Sequence, residues 1–420
     1  MTALRTTPSP IRVDTPRGDE RPHAAFRCTC HASLESLAPR RRAWNTFVSS
    51  AGSPIYHSYE WCAVWWHHYG GDREARIFIA EEDNRLVGIL PMCIDRLRLG
   101  PVTLRLARLI GSDSTHVVCD PPLDVDHARA MLEAVMRRLI AEDECDAVLF
   151  GPLADDSPRS GAVREFCRRP RKDVRLLRDR VLGPYASIPL PESIEEYERS
   201  LSKKQRYRLR HGWSRLRSEN GAVARTVCEP DRALAAFDRF ARLHAEQWQG
   251  RGRLGHFADW PGALEFNRSL VAAMAREGRV RFCRIVAGDT LLSDEYCFLF
   301  GRRAHWRLSA RRIDPRWDEH GLGRLGLAQM LQTMISEGVG GVEAGPGRYP
   351  YKRRLGAVEH DLRSMLLVRD ETSSRRRAVV ATRLADLLDR VYYRLWYLRL
   401  ARRFPPARRP LINAWIRSRL

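Results

Sequence analysis

Two segments of this chain follow one plan, and together they restrict the fold most. ARIFIAEEDNRLVGILPMCIDR reads as a β-hairpin: an apolar run ends at Ala80, Glu82-Asp83-Asn84-Arg85 turn, and a return run spans Leu86 to Ile94. RVRFCRIVAGDTLLSDEYCFLFGRRAHWRLSARRIDP has the same strand, acidic turn and return strand, followed by a third strand. At a constant offset of 206, Ile79, Asp83 and Leu86 fall on Ile285, Asp289 and Leu292, whereas Ile89 falls on Glu295. Many hairpins share this pattern, so an internal duplication and a chance likeness both stay open.

Helical periodicities flank both meanders. Helical stretches are expected around Pro39–Ser49 and through Tyr59, Cys62, Trp65, Trp66 and Tyr69 to a Gly-Gly stop. PVTLRLARLIG reads as a strand, Asp124–Glu142 as a helix and DAVLFGPL as a short buried strand. In the second half, EEYERSLSKKQRYRLRHGWSRLRSENG reads as one long basic helix opened by a capping box of Ser193 and Glu196. Pro230–Trp248 and Pro261–Glu277 read as two more helices.

Charge matters here through its distribution. The 420 residues hold 72 Lys+Arg against 51 Asp+Glu, a formal +21, yet only Lys172, Lys203, Lys204 and Lys352 are lysines. Such an arginine excess can reflect base composition, so net charge alone decides little. From Ser373 to Leu420, thirteen arginines face only Asp386 and Asp389. That tail is a candidate for anionic membrane or nucleic acid, whereas the body does not read as a nucleic-acid binder. No apolar run reaches the ~18 residues of a bilayer-spanning helix, and the N-terminus lacks the apolar centre of a secretory signal. A cytoplasmic protein is expected, peripheral at the inner face of the membrane if the tail binds lipid. Residues 1–27, rich in Pro, Arg and Thr, read as a disordered leader. The ten cysteines are scattered without a C-x-x-C pair, and Cys28-Thr29-Cys30-His31 lacks a second ligand pair, so no metal and no disulfide are expected.

The chemistry concentrates in IDPRWDEHGLGRLGLAQMLQTMISEGVGGVEAGPGRYPYKRRLGAVEH, Ile313–His360. After a strand ending near Ala310, His320-Gly321-Leu322-Gly323-Arg324 opens a helix with Leu325, Leu327, Met330, Leu331, Met334 and Ile335 toward a core. Two glycines at such a turn leave backbone N–H groups uncovered at the positive end of the helix dipole, which suits a pyrophosphate. Arg324 and Arg316 can add charge-assisted bonds. The other reading is a tight turn and nothing more.

Four features in order resemble the GNAT acyltransferase superfamily, in particular its CelD/BcsL-like branch associated with polysaccharide synthesis and related to the FemAB transferases. They are S-K-K-Q-R-Y-R-L-R, the hairpin V-A-G-D-T-L-L-S, the D-P-R-W loop before the glycine-opened helix, and E-A-G-P-G-R-Y-P-Y-K-R-R-L-G. The resemblance covers roughly Ser53–Val368. Asp318 stands where the family turn has Gln or Arg, and Glu343 stands near a usual Asp. The resemblance implies an α/β (α+β) fold of two GNAT-like domains, 28–190 and 191–370. Each would have a mixed, mostly antiparallel twisted sheet covered by helices, with a basic helical tail over 371–420.

It also implies an acyl-CoA donor, acetyl-CoA above all, and direct transfer to an amine or hydroxyl of a glycan or nucleotide-sugar. Gly321, Leu322, Gly323, Arg324 and Arg316 would hold the CoA pyrophosphate. The strand Arg303–Ala310 would offer a backbone N–H to the thioester carbonyl. Glu343, His320 and Glu295 are the candidate bases, and Tyr349 or Tyr351 the donor to the leaving thiolate. Lys352 is a candidate for a phosphate or acceptor oxygen; Lys203, Lys204 and Trp248 with the loop after it are candidate acceptor walls. Beside these stand plainer readings: a solvated face for the basic helix, an arginine pair for Glu343, strand packing for His305 and Trp306. Asp294 and Glu295 point to opposite faces of a strand, so one of them faces inward and needs a partner or a job.

In the tail, Val380, Leu384, Leu387, Leu388, Val391, Leu395 and Leu398 follow helical spacing with Tyr392, Tyr393, Trp396 and Tyr397. PPARRP then breaks the pattern before LINAWIRSRL. The tail can lie on anionic lipid or pack on the body. Two alternatives to an acyl-CoA enzyme remain: an aminoacyl-tRNA-dependent transferase of FemAB type, and a non-catalytic scaffold of a polysaccharide-synthesis machine.

Overall fold

The computed structural model describes residues 9–11, 26–115, 117–250, 253, 255–400 and 411–420. The chain divides into two units, Met1–Gly183 with Asp361–Leu420, and Pro184–His360. The first unit begins with β1 (Ser9–Ile11), β2 (Arg27–His31), α1 (Arg41–Ser50) and α2 (Tyr59–Tyr69), then the hairpin β3 (Glu74–Glu82) and β4 (Arg85–Leu99). Asp83 and Asn84 both take positive φ, the primed turn that matches strand twist. β5 (Val102–Leu109), α3 (Val125–Arg137), β6 (Ala147–Ala154), α4 (Pro158–Arg168) and the start of β7 (Val174–Pro189) follow.

The second unit takes the end of β7, then α5 (Ile194–Ser200), α6 (Lys203–Asn220), β8 (Ala222–Val227), α7 (Pro230–Gln249), α8 (His256–Asp259) and α9 (Ala263–Arg276). It continues with the meander β9 (Val280–Ala287), β10 (Thr290–Phe300) and β11 (Arg303–Arg311). α10 (Pro315–Asp318), α11 (Leu322–Ser336), β12 (Gly341–Pro346) and α12 (Pro350–Arg353) complete it. The chain then returns to the first unit with β13 (Val358–Arg369), α13 (Thr372–Leu388), a helical continuation with wider turns over Asp389–Leu400, and α14 (Ile412–Arg417).

The two sheets share one topology. In the first unit the strand order is β1-β2-β3-β4-β5-β6-β13, and in the second it is β7-β12-β11-β10-β9-β8. In each, a run of antiparallel contacts leads to one parallel contact, β5 with β6 and β11 with β12, with a long helix in the connection, α3 or α11. This places the repeated hairpins at equivalent positions, so the molecule is a tandem α/β fold with mostly antiparallel sheets.

Several expectations need correction. The basic segment is two helices, because Ser202 acts as a second N-cap and accepts from the Gln205 N–H, as Ser193 does from Glu196. The leader supplies β1, an edge strand in register with Cys28–Cys30, where Pro10 needs no ladder partner on its outer side; residues 1–8 and 12–25 lie outside the described residues. The segment from Asp361 onward, placed by sequence partly in the second domain and partly in a separate tail, belongs with the first unit: β13 pairs with β6, and Ala378, Ala381 and Ala385 of α13 join Leu97, Leu104 and Leu366 in a core cluster. PPARRP falls outside the described residues. Nine of the ten cysteines are buried as small hydrophobes, and burial pushes the Cys28 thiol up to about 12.

Candidate active site

β11 and β12 are paired over three residues only, Arg303 with Gly341, Ala304 with Val342 and His305 with Glu343. β11 runs on to Arg311 and β12 to Pro346, so the two strands part at His305 and Glu343. Gly345 and Gly347 take positive φ on either side of Pro346, and the β12–β7 register slips between Glu343 and Pro346, which turns β12 away. The fork is built by backbone conformation.

Titratable groups gather at its apex. His305 Nδ1 lies 3.0 Å from Glu343 Oε2, and both residues are buried. As the carboxylate accepts, Nδ1 carries the proton and the ring's lone pair is on Nε2. Next along β11, Trp306 Nε1–H donates to Glu295 Oε2 at 2.8 Å. Glu295 is fully buried, and that burial holds its carboxyl well above the usual range despite the indole bond. Its environment thus favours the uncharged form. Asp294 points to the opposite face, as strand alternation requires, where Arg284 donates to it at 2.7 Å and burial still pushes it up to about 7.

Lys352 is buried too. Its ammonium donates to the Ala344 carbonyl and lies 5.5 Å from the Trp306 ring centre and 4.8 Å from that of Tyr349. Desolvation lowers it to about 8, against the pull of Glu343. Tyr349 and Tyr351 stand half-exposed at the rim with ring centres 5.7 Å apart. Burial of its hydroxyl, with Glu295 and Tyr349 nearby, raises Tyr351 to about 12, further from a thiol than an ordinary phenol. Tyr351 thus stays protonated and can donate a hydrogen bond.

α11 begins at Gly321, with φ 67° and no side-chain cap. Arg324 folds back over it: a Cβ on Gly321 would lie 2.7 Å from Arg324 Nη2. The Arg324 guanidinium is held below its ordinary value by burial and by Arg208, and its Nε has no hydrogen-bond partner among the described residues. Two arginines at the positive end of a helix repel one another, and a polyanion relieves this. The site therefore fits a diphosphate. Arg316 is less well placed, because Asp314 holds its guanidinium at 2.7 Å.

The remaining predicted residues lie elsewhere. His320 is buried beside Glu219 and Glu319, their donor atoms all within 4.8 Å, and not with Glu295 or Glu343. Lys203 and Lys204 open α6 as exposed residues. Trp248 packs edge-on against His256 at 5.1 Å with Arg253 over its ring; Arg251, Gly252 and Leu254 of the following loop lie outside the described residues. A cleft of about 100 Å³ between α6 and α11, lined by Arg206, Arg210, Trp213 and Gln329, contains none of the apex residues. Beyond the fork, α7 dresses the edge of β11: Gln247 Oε1 accepts from the Arg311 N–H at 2.8 Å, and His244 Nδ1–H donates to the Ser309 carbonyl at 2.9 Å. The edge expected for a donor arm, Arg303–Ala310, therefore shrinks to the residues between His305 and Ser309.

Sequence reading passed over Gly326, although Gly321-x-Gly323-x-x-Gly326 was a visible spacing. A Cβ there would meet Ser293 Oγ at 2.2 Å and Glu295 Oε1 at 2.8 Å. Gly326→Ala is expected to cost about 1–3 kcal/mol by overpacking, read as a lower urea midpoint. An unchanged midpoint would mean that α11 does not press on β10.

Residues 203–353 match the family described as an acetyltransferase (GNAT) domain. The chain carries an acyltransferase domain. Among solved structures, that of FemX covers 79% of this chain and 96% of its own at 10% identity, with a TM-score of 0.56, a likeness of fold. L-PGS from Bacillus licheniformis (13% identity, TM-score 0.47, 82% of this chain and 96% of that one) is also similar. So is a tandem GNAT protein from the clavulanic acid biosynthesis pathway (11%, 0.39, 82% and 98%). No curated protein matches the sequence. The halves of this acyltransferase are chemically unequal. Where the second unit has Glu295 and the His305–Glu343 pair, the first has Ile89 and the pair Arg108–Leu149.

Proposed function

We propose that this acyltransferase moves an acyl group from acyl-CoA to an amine or hydroxyl of a polysaccharide or its activated sugar precursor, as the CelD/BcsL-like resemblance implies. One observation carries the reading: an uncapped, arginine-backed helix start lies one short connection after a strand that forks from its neighbour at a buried acid–base cluster. Arg324 and the amides of Leu322 and Gly323 would hold the donor's diphosphate. The donor supplies an activated thioester, and every other task falls to the chain. His305, oriented by Glu343, takes the acceptor's proton. Lys352 holds the acceptor oxygen or nitrogen beside the Tyr349 ring, and Tyr351 donates toward the departing sulfur. Glu295, buried and tied to Trp306, fixes the floor of the site.

Thermal-shift titration tests the donor. Desulfo-CoA should raise the melting temperature, by an amount equivalent to about 2.7 kcal/mol at a hundred times Kd, and Arg324→Ala should weaken it about ten-fold. No shift at millimolar ligand would refute the donor assignment. The pH profile tests Lys352: kcat/KM should fall above about pH 8 as the ammonium is lost. In Lys352→Arg that limb should move beyond pH 10, and a limb that stays in place would exclude Lys352.

A second reading has specific support, the FemX-like fold together with the exposed cationic start of α6. An aminoacyl-tRNA donor would leave the protein unresponsive to CoA and give salt-dependent tRNA binding.

A further inference from the structure

We propose that the outer face of the C-terminal helix, from Arg376 to Arg399, docks the first unit onto an anionic lipid surface. The helix is packed the opposite way from one meant for water alone. Its fully buried residues are small: Ala378, Ala381 and Ala385 pack against Leu97, Leu99 and Leu366, with Leu384 and Leu388 partly buried beside them. Five other large aliphatic residues face out, with Val380, Leu387, Val391, Leu395 and Leu398 between 39% and 56% exposed. An amphipathic surface helix ordinarily buries such residues and exposes the small or polar ones.

Charge follows the same face. Arg376, Arg383, Arg390 and Arg399 are exposed among these aliphatic residues, and none has a carboxylate partner among the described residues. The two acidic residues of the stretch are already engaged, Asp386 by Arg178 at 2.9 Å and Asp389 by Arg394 at 2.8 Å. The aromatic residues are partly withdrawn: Tyr393 stacks on Trp415 at 3.9 Å and Tyr392 is buried.

Rows of guanidinium groups alternating with branched aliphatics suit the boundary between lipid phosphates and acyl chains, where the cation reaches outward and the hydrocarbon inward. A second copy of this face would set the same arginines against each other. A nucleic-acid backbone would leave the aliphatic residues in water. No helix among the described residues is long and apolar enough to cross a membrane, so the contact is one of lying on the surface.

The experiment is co-sedimentation of the full chain with vesicles of equal parts phosphatidylglycerol and phosphatidylcholine, and with phosphatidylcholine alone. Binding is expected to the mixed vesicles only. It should weaken about five-fold for each arginine removed in R383Q, R390Q and R399Q. V380S/L387S/V391S/L395S keeps the net charge and should weaken binding about ten-fold or more. Because these side chains point outward, its unfolding curve should match the wild type. Mixed-vesicle binding equal to wild type in that variant would reduce the effect to the general attraction of a basic protein and overturn the proposal. Absence of binding at low ionic strength would overturn it as well. So would a concentration-dependent dimer that the serine variant abolishes, or RNA that displaces the protein from lipid.

Discussion

Glu343→Gln is expected to lower kcat by about a hundred- to a thousand-fold, the range of a lost general base, while KM for acyl-CoA stays within about three-fold. The amide can turn its NH2 toward Nδ1 and no longer imposes the Nδ1–H tautomer as an acceptor-only carboxylate does, so the ring loses its fixed orientation. His305→Ala should lose a similar factor, and the double variant little more than either, because the two act as one unit. Desulfo-CoA binding should persist in all three, since the diphosphate contacts lie at the start of α11. Wild-type turnover in Glu343→Gln would remove the pair from the mechanism. Equal losses of turnover and of ligand binding would reduce it to a support of the fork.

Asp95→Leu is expected to give the largest loss of stability, about 3–5 kcal/mol, because it strands buried cations. Asp95 has no solvent exposure, and Arg108, equally buried, donates to it at 2.8 Å. Arg73 lies 3.5 Å away, and Arg417 of α14 donates to the same carboxylate. Arg108 also donates to the Arg417 carbonyl at 2.7 Å, while its Nε and Nη1 have no hydrogen-bond partner among the described residues and Nη1 lies 3.9 Å from Asp113. Arg417→Ala should cost less, since Asp95 keeps Arg108. Urea unfolding of both variants decides the matter; a loss below about 1 kcal/mol in Asp95→Leu would show that the cluster is not a counter-ion trap.

The pH dependence has a definite sign. Burial alone would raise Asp95 and Asp113, but Arg108 and its companions at Asp95, and Arg73 at Asp113, hold both below the usual carboxylate range. Their stabilisation is therefore fully present above the unfolded value, about 3.9, and is lost as pH falls through the folded one. The wild type should lose stability on acidification more steeply than Asp95→Leu.

Much of this was legible in the residues. Alternating apolar strands and acidic turns marked both hairpins, and the Gly321-x-Gly323 opening marked the start of α11, because those signals are local. The chemical apex was not, since it depends on which residues three separate strands bring together. His305 looked like strand packing because its partner Glu343 lies 38 residues away on a strand that meets it for three residues. His320, beside the glycines in sequence, looked catalytic yet sits with Glu219 and Glu319. The capping signal at Ser202 was local and readable, and the run of basic residues around it concealed it. In the tail, spacing identified the apolar residues as a set but not their side: the alanines, with Leu384 and Leu388, take the inward face and leave Val380, Leu387, Val391, Leu395 and Leu398 outside.

The chain order of the two units sets a schedule for synthesis. All of Pro184–His360 is translated before β13 is complete and before Arg417 is made, so this half can close while its predecessor is still unfinished. The half that is translated first is completed last, when a strand and a helix made at the end slot into its sheet and its buried cation cluster. A ribosome stalled anywhere after His360 would thus carry a finished catalytic half tethered to an open neighbour, a prime target for chaperones.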